Sequence, residues 1–337
     1  MTRFLPLVKD GVCLNGCLPI TSEQRDKLDE VKAGAVSIPD AVWSKDGQPP
    51  IVKWDGLFEK WLAARTAEAI AYRDAGICSF PWEIIKYLPA QVRRSDRLFW
   101  NQGSLPSCSL HGATHGTQFT SLVEILHGAP VKYNAFNPIV PFYIARGYNL
   151  GGGLGLFDTA EAVNNGGQYP TALVGEDNQH VPGNWKEVRE LAEKYQVALC
   201  YLADHLVEKI IACCKADLYV TFGSGTSFEG ATETDGIKTV TKRIHGGHAQ
   251  CFGCYRKHNG REYIFNFNSH GEIYGKSDEG EPAVGAWCDK DHLREYCADM
   301  LNYGDPFVTL SVESDLTGTL RFKTPFKVPF NKNFKRD

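Results

Sequence analysis

Two kinds of hydrophobic spacing divide the chain. As far as about residue 215, apolar positions recur at three- and four-residue intervals, the period of a helix with one buried face. Trp54, Phe58, Trp61 and Leu62 predict a helix from about Trp54 to Ala75, ended by Gly76. Phe119, Leu122, Val123 and Leu126 share one side of a helix expected from Cys108 to about His127. Shorter helices are expected around Phe157–Asn164, closed by Asn165-Gly166-Gly167, and over Trp185–Tyr195 and Asp204–Cys214. After Ala216 the pattern changes to short β-branched and aromatic runs. Leu218–Phe222, Lys238–Ile244, Ala249–Tyr255, Glu262–Asn268 and Pro306–Val312 read as strands, with His258-Asn259-Gly260 as a hairpin turn. Residues 1–50 read as irregular, with turn signals at Asn15-Gly16, Asp46-Gly47 and Pro49-Pro50. Helices followed by strands make an α+β pattern with segregated elements.

Composition narrows the function classes. The 337 residues are 43% hydrophobic and 23% charged, a globular composition long enough for about two lobes. A formal net charge of -4 supplies no global basic field, so neither a nucleic acid nor an anionic membrane is an expected partner. No window approaches a membrane-spanning length of apolar residues, and the N-terminus does not read as a secretory signal. The tail from Arg321 to Asp337 is locally basic, with two Arg and four Lys against one Asp, and carries Phe322, Phe326, Phe330 and Phe334. Its prolines, Pro325 and Pro329, argue against a helix. It reads as a solvated tail or a partner-binding arm.

The cysteine count of 11 is odd, so one thiol at least stays outside any intrachain pairing. With no leader read, a reducing, cytosol-like compartment is expected, and Cys78, Cys200, Cys213, Cys214, Cys288 and Cys297 read as small buried hydrophobes. Cys13 and Cys17 lack a second ligand pair at zinc-finger spacing. His245, His248, Cys251 and Cys254 fall every three residues, but on a strand side chains alternate faces. His248 and Cys254 would then oppose Cys251, so neither a metal nor a cofactor is expected. His111 and His115, four apart on one helix, could also ligate a metal, but packing or solvent exposure is the expected role of both.

One cysteine is placed for chemistry. Cys108 lies where the turn-rich loop 101–107 gives way to a helix, and a helix N-terminus favours a thiolate. His248 enters a strand, and Asn268 ends the next strand 20 residues later. Antiparallel pairing across the intervening hairpin brings these two residues together.

The local sequences around these residues resemble the papain-like cysteine peptidases. Asn101-Gln102-Gly103-Ser104-Leu105-Pro106-Ser107-Cys108 is similar to the family's nucleophile motif, with glutamine six residues before the cysteine. Gly152-Gly153-Leu154, followed by a helix and Asn165-Gly166-Gly167, resembles the substrate-binding glycine loop. Gly247-His248-Ala249 with Phe252-Gly253-Cys254-Tyr255 resembles the histidine strand, and Tyr263 to Gly271 the asparagine strand. The four motifs occur in the family's order between about Pro81 and Val312, roughly two-thirds of the chain.

The resemblance implies a two-lobed papain-like fold. Residues 1–80 form an N-terminal extension, 81–175 a helical lobe with the nucleophile, 176–320 a β-rich lobe with His and Asn, and 321–337 the tail. It implies Cys108 as nucleophile, His248 as its base, Asn268 as the residue holding the imidazole and Gln102 as an oxyanion donor beside the Cys108 N–H. Gly152 and Gly153 present backbone groups to an extended peptide or protein substrate. Three positions depart from the family: Leu105 replaces a second loop cysteine, Ser109 an aromatic residue, and His270 the tryptophan over the Asn–His contact. Other readings stay open: a structural or assembly component with this fold, such as part of a virus or phage particle bound through the extension and tail, or an amidase acting on peptidoglycan or isopeptide bonds. The extension also occupies the place of a prosegment, without that family's spaced helix signature.

Overall fold

The structure is a computed structural model describing residues 8–9, 12–13, 17–38, 49–76, 79–87, 98–126, 133–147, 152–175, 185–272, 274 and 281–310. The basic tail, Cys78, residues 148–151 before the glycine loop and the turns at Asn15-Gly16 and Asp46-Gly47 lie outside them. In chain order the elements are β1 (Val8–Lys9), β2 (Val12–Cys13), α1 (Ser22–Ala33), β3 (Ile51–Val52), α2 (Gly56–Asp74), α3 (Pro81–Tyr87) and α4 (Cys108–Leu126). Then come α5 (Ile139–Ala145), α6 (Leu156–Asn164), α7 (Thr171–Val174), α8 (Trp185–Ala192), β4 (Ala198–Tyr201) and α9 (Leu206–Lys215). The last are β5 (Val220–Thr234), β6 (Ile237–His258), β7 (Arg261–Phe267), β8 (Gly285–Asp289), α10 (Lys290–Met300) and β9 (Phe307–Leu310).

The α+β class expected from the spacing is what forms. Among the described residues, one seven-stranded sheet runs β3-β4-β9-β5-β6-β7-β8. Its centre is the antiparallel pair β5/β6, continued by β7 through a turn at Asn259 and Gly260, both at positive φ. The two strands expected over 238–255 are one long strand, β6. Four register shifts interrupt its pairings, and two of them bear on the site. Between Ser224 and Thr226 the register shifts, so that Gly246 and Gly247 bulge just before His248. Between Gly253 and Tyr255, Cys254 is an extra residue at φ 51°. This second bulge resets the alternation, so Cys254 shares the buried cluster of Cys251 instead of the opposite face expected from strict alternation.

Helix α4 lies directly on this sheet. Gly112 and Gly116, four apart, face it: a Cβ at Gly112 would stand 3.0 Å from the Gln250 carbonyl oxygen, and one at Gly116 3.1 Å from Thr309 Oγ1. The same face continues through Phe119, Leu122 and Val123, which pack with Phe265, Phe267 and Trp287 of β7 and β8. Other elements cover the remaining faces, so the helix is buried almost all round, which holds its first residue, Cys108, at a fixed height over β6.

Residues 17–38 and 49–76 are built into the same body. Segment 1–50 was expected to be irregular, yet α1 forms there, capped by a reciprocal pair between Thr21 and Gln24. Strand β3 pairs with β4, and Val52, Phe58 and Leu62 join the cluster formed by α9, β5 and β6. Buried Arg65 of α2 donates from Nε to the Ala216 carbonyl at 2.9 Å and lies 3.8 Å from Glu124 of α4. Phe58→Ala is expected to lower unfolding free energy by roughly 3–5 kcal/mol, because it empties a fully buried aromatic site. Urea denaturation of variant and parent reads that loss; a change within experimental error would mean that α2 is only loosely attached.

Cys200, Cys213, Cys214 and Cys288 lie in the main core, and Cys297 packs at its edge. Cys17, Cys108, and Cys251 and Cys254 of β6, are free thiols, as are these five. Among the described residues, no helix is long and apolar enough to cross a membrane.

Candidate active site

Cys108 opens α4 and is fully buried. Its Sγ receives the Ala249 backbone N–H at 3.3 Å. The thiol thus sits against the residue that follows His248, at the end of a 19-residue helix whose first-turn N–H groups have no intrahelical acceptors.

The His248 ring is oriented from its far side. Its Nε2 meets Asn268 Oδ1 at 2.8 Å, while Nδ1 is buried and makes no hydrogen bond. Because Oδ1 only accepts, Nε2 carries the hydrogen and Nδ1 keeps its lone pair. Burial pushes the His248 pKa down to about 4, against an opposing pull from the Asn268 bond. The imidazole is therefore neutral at rest.

Two further histidines complete a buried cluster. His270 stacks on His248, with ring centroids 4.5 Å apart and planes 16° from parallel. Burial, then His248 and His111, lower its pKa to about 2. His111, one turn into α4, directs Nδ1 to the Ser107 carbonyl at 2.9 Å and leaves Nε2 without a hydrogen bond. Burial brings it down to about 4, and His248 adds to that fall. His115 is a packing residue: Nε2 accepts from the Trp100 N–H at 3.3 Å, and its ring stacks on Phe119.

Gln102 is stitched to the same region. Its backbone N–H donates to the Ser269 carbonyl at 2.7 Å, and Asn101 bridges His270 in antiparallel fashion. The Gln102 side chain accepts from the Ser269 hydroxyl, and its Nε2 donates to the Leu105 carbonyl at 2.7 Å. One amide hydrogen is thus used inside the loop, leaving one for any other acceptor. The nucleophile loop and the asparagine strand, distant in sequence, are joined here.

The glycine loop already has an occupant. Gly152, at φ 104°, and Gly153 are buried, and the next residue, Leu154, bridges Cys17 in parallel. The Cys17 N–H donates to the Gly247 carbonyl at 3.0 Å, and the Leu18 N–H to the Leu154 carbonyl at 3.3 Å. The chain's own residues 17 and 18 therefore span from the glycine loop to the residue before His248. Gly247 has no room for a side chain, since a Cβ there would collide with the Cys17 carbonyl oxygen. The Cys17 Sγ fills the space beside Gly223, where a Cβ would stand only 2.7 Å away. Burial, then Cys108, hold the Cys17 pKa well above the usual thiol range.

Two participants had no clear sequence signal. One is this strap of residues 17–20. The other is Tyr274, whose hydroxyl receives Asn268 Nδ2 at 2.8 Å.

No known family model matches the chain, and no curated protein matches it. Among solved structures, it is similar to xylellain, a cysteine protease from Xylella fastidiosa, at 14% identity and a TM-score of 0.43, over 68% of this chain and 88% of that one. It is similar to digestive procathepsin L 3 of Tenebrio molitor larval midgut at 12% identity and a TM-score of 0.44, over 86% and 99%. A third similar structure is bromelain protease from Ananas comosus, at 13% identity and a TM-score of 0.39, over 63% and 93%.

Proposed function

We propose that the chain is a papain-like cysteine peptidase whose nucleophile is Cys108. The observation that carries this reading is the junction of α4 and β6. A buried thiol at a helix N-terminus lies against Ala249, and the neighbouring imidazole is held from behind by Asn268 with its Nδ1 lone pair available.

Each step follows from a named group. The Sγ proton passes to His248 Nδ1, leaving a thiolate favoured by the helix terminus. Sγ attacks the carbonyl carbon of an extended peptide. The oxyanion meets the Cys108 backbone N–H and the remaining Gln102 amide hydrogen. As the tetrahedral intermediate collapses, the C–N bond breaks, and His248 returns its proton to the departing amine. Water, deprotonated by the same Nδ1, then cleaves the thioester and restores the thiol. Asn268 keeps the Nε2–H direction constant throughout, which is what permits Nδ1 to serve as both base and acid.

Substrate entry requires the strap at 17–18 to leave. Its two backbone hydrogen bonds are the kind an incoming strand makes, so substrate and strap compete for the same groups. Removing residues 1–80 is not a clean way to release it, because the cut also takes Val52, Phe58 and Leu62 from the core.

The test is covalent labelling. A peptidyl epoxide or vinyl sulfone is incubated with the intact protein and the adduct is mapped by mass spectrometry. Labelling confined to Cys108 and lost in His248→Ala is expected. Equal labelling of several cysteines, or labelling of Cys108 that is indifferent to His248, would sink the reading.

A further inference from the structure

The Asn268 amide has three hydrogen-bond partners, of which the imidazole is one. Oδ1 accepts from His248 Nε2 at 2.8 Å and from the Ser269 backbone N–H at 2.7 Å; Nδ2 donates to the Tyr274 hydroxyl at 2.8 Å. The amide is clamped at both ends. At the oxygen end a backbone donor excludes the flipped amide. At the nitrogen end a hydroxyl accepts, and the Gln250 side chain interacts with that same hydroxyl. Tyr274 is itself fixed: its ring is buried, and its N–H donates to the Ala283 carbonyl at 3.1 Å.

A flipped amide would present a donor to His248 Nε2. The imidazole would then carry its hydrogen on Nδ1, the atom that must take the proton from Cys108. Wrong-tautomer states of this kind are severely damaging in histidine-dependent hydrolases. Whatever holds the amide also holds the tautomer.

We propose that Tyr274 is a positioning residue of the peptidase site: by accepting from Asn268 Nδ2 it keeps Oδ1 on His248 Nε2 and the Nδ1 lone pair on the Cys108 side. The inference rests on the peptidase reading. Tyr274 bears on the imidazole through Asn268. Its loss leaves the Ser269 clamp in place, so the effect is that of about one hydrogen bond rather than of a missing catalytic group.

Tyr274→Phe keeps the ring and removes only the oxygen. The expected result is a roughly tenfold lower kcat with KM little changed. A weaker imidazolium partner also shifts the pH midpoint of Cys108 alkylation by iodoacetamide upward, by about one unit. A purely structural role would lower thermal stability without moving that midpoint. The double-mutant cycle is decisive. In an Asn268→Ala background, Tyr274→Phe is expected to add nothing; full additivity overturns the inference. Asn268→Ala alone must shift the alkylation midpoint in the same direction and by at least as much, and a smaller shift also overturns it. Absence of Cys108 labelling by a peptidyl epoxide in the parent defeats the peptidase reading. Normal parent labelling with an unmoved Tyr274→Phe profile defeats only this inference.

Discussion

Cys108→Ala is expected to reduce peptide hydrolysis by at least about a thousandfold and to leave the fold intact. The structural cost is small, since the variant loses one weak acceptor for the Ala249 N–H, on the order of 1 kcal/mol. The chemical cost is the whole covalent route. His248→Ala is expected to be comparably damaging, because an undirected thiol is mostly protonated near neutrality. Groups that act as one unit are not additive: the double variant should be no slower than the worse single one. Steady-state assays on a quenched fluorescent peptide, with circular dichroism as the folding check, decide it. A Cys108→Ala protein retaining more than about a tenth of parental activity would mean that another residue carries the reaction.

Acid unfolding should be early and steep. Four buried histidines have pKa values pressed below the unfolded value of about 6.5: His111 to about 4, His115 to about 3, His248 to about 4 and His270 to about 2. Burial is the main cause for each. Protonation is favoured in the unfolded chain, so the stability these groups contribute is full above about pH 6.5 and is lost as pH falls toward 4. Glu68, pushed up to about 7 by burial, and Asp217, raised by burial against the pull of Arg73, work the other way. The balance is a net uptake of roughly two to three protons on unfolding, or about 3–4 kcal/mol per pH unit. At that slope, starting from about pH 6.5, a protein at the low end of the typical range, about 5 kcal/mol, reaches its acid transition near pH 5, and a more stable one lower. Urea midpoints measured from pH 7 to 4 give the slope directly. A net uptake below about one proton would contradict this balance. His270→Trp should lower the slope by about one proton and lay a better cation-stabilising face over His248.

Much of this site was legible because its parts are local. Cys108 after a turn-rich loop, and a hairpin at Asn259-Gly260 that returns Asn268 to His248, need only short-range rules. What stayed hidden depends on contacts. The expected break within β6 came from a run of glycines that the sheet absorbs as a bulge. Strand β8 is buried along Gly285–Cys288 and so shows no alternation. Helix α1 is polar nearly all round, with Leu28 its buried residue, so its hydrophobic stripe is faint; the Thr21 and Gln24 pair was its readable signal. Tyr274 and the strap have no local signature, because each is defined only by what it touches across the fold.

The strap also changes how kinetic constants of this protein should be interpreted. Residues 17 and 18 are a competitor that never dilutes, since they are part of the molecule they obstruct. A tethered ligand acts at an effective concentration of the order of millimolar, however little protein is present. If the cleft stands open about 1% of the time, every ligand that needs it binds about a hundredfold more weakly than the open site would allow. That factor is shared by all of them. Selectivity ratios between peptides would therefore report the cleft itself, while absolute affinities would report the opening equilibrium.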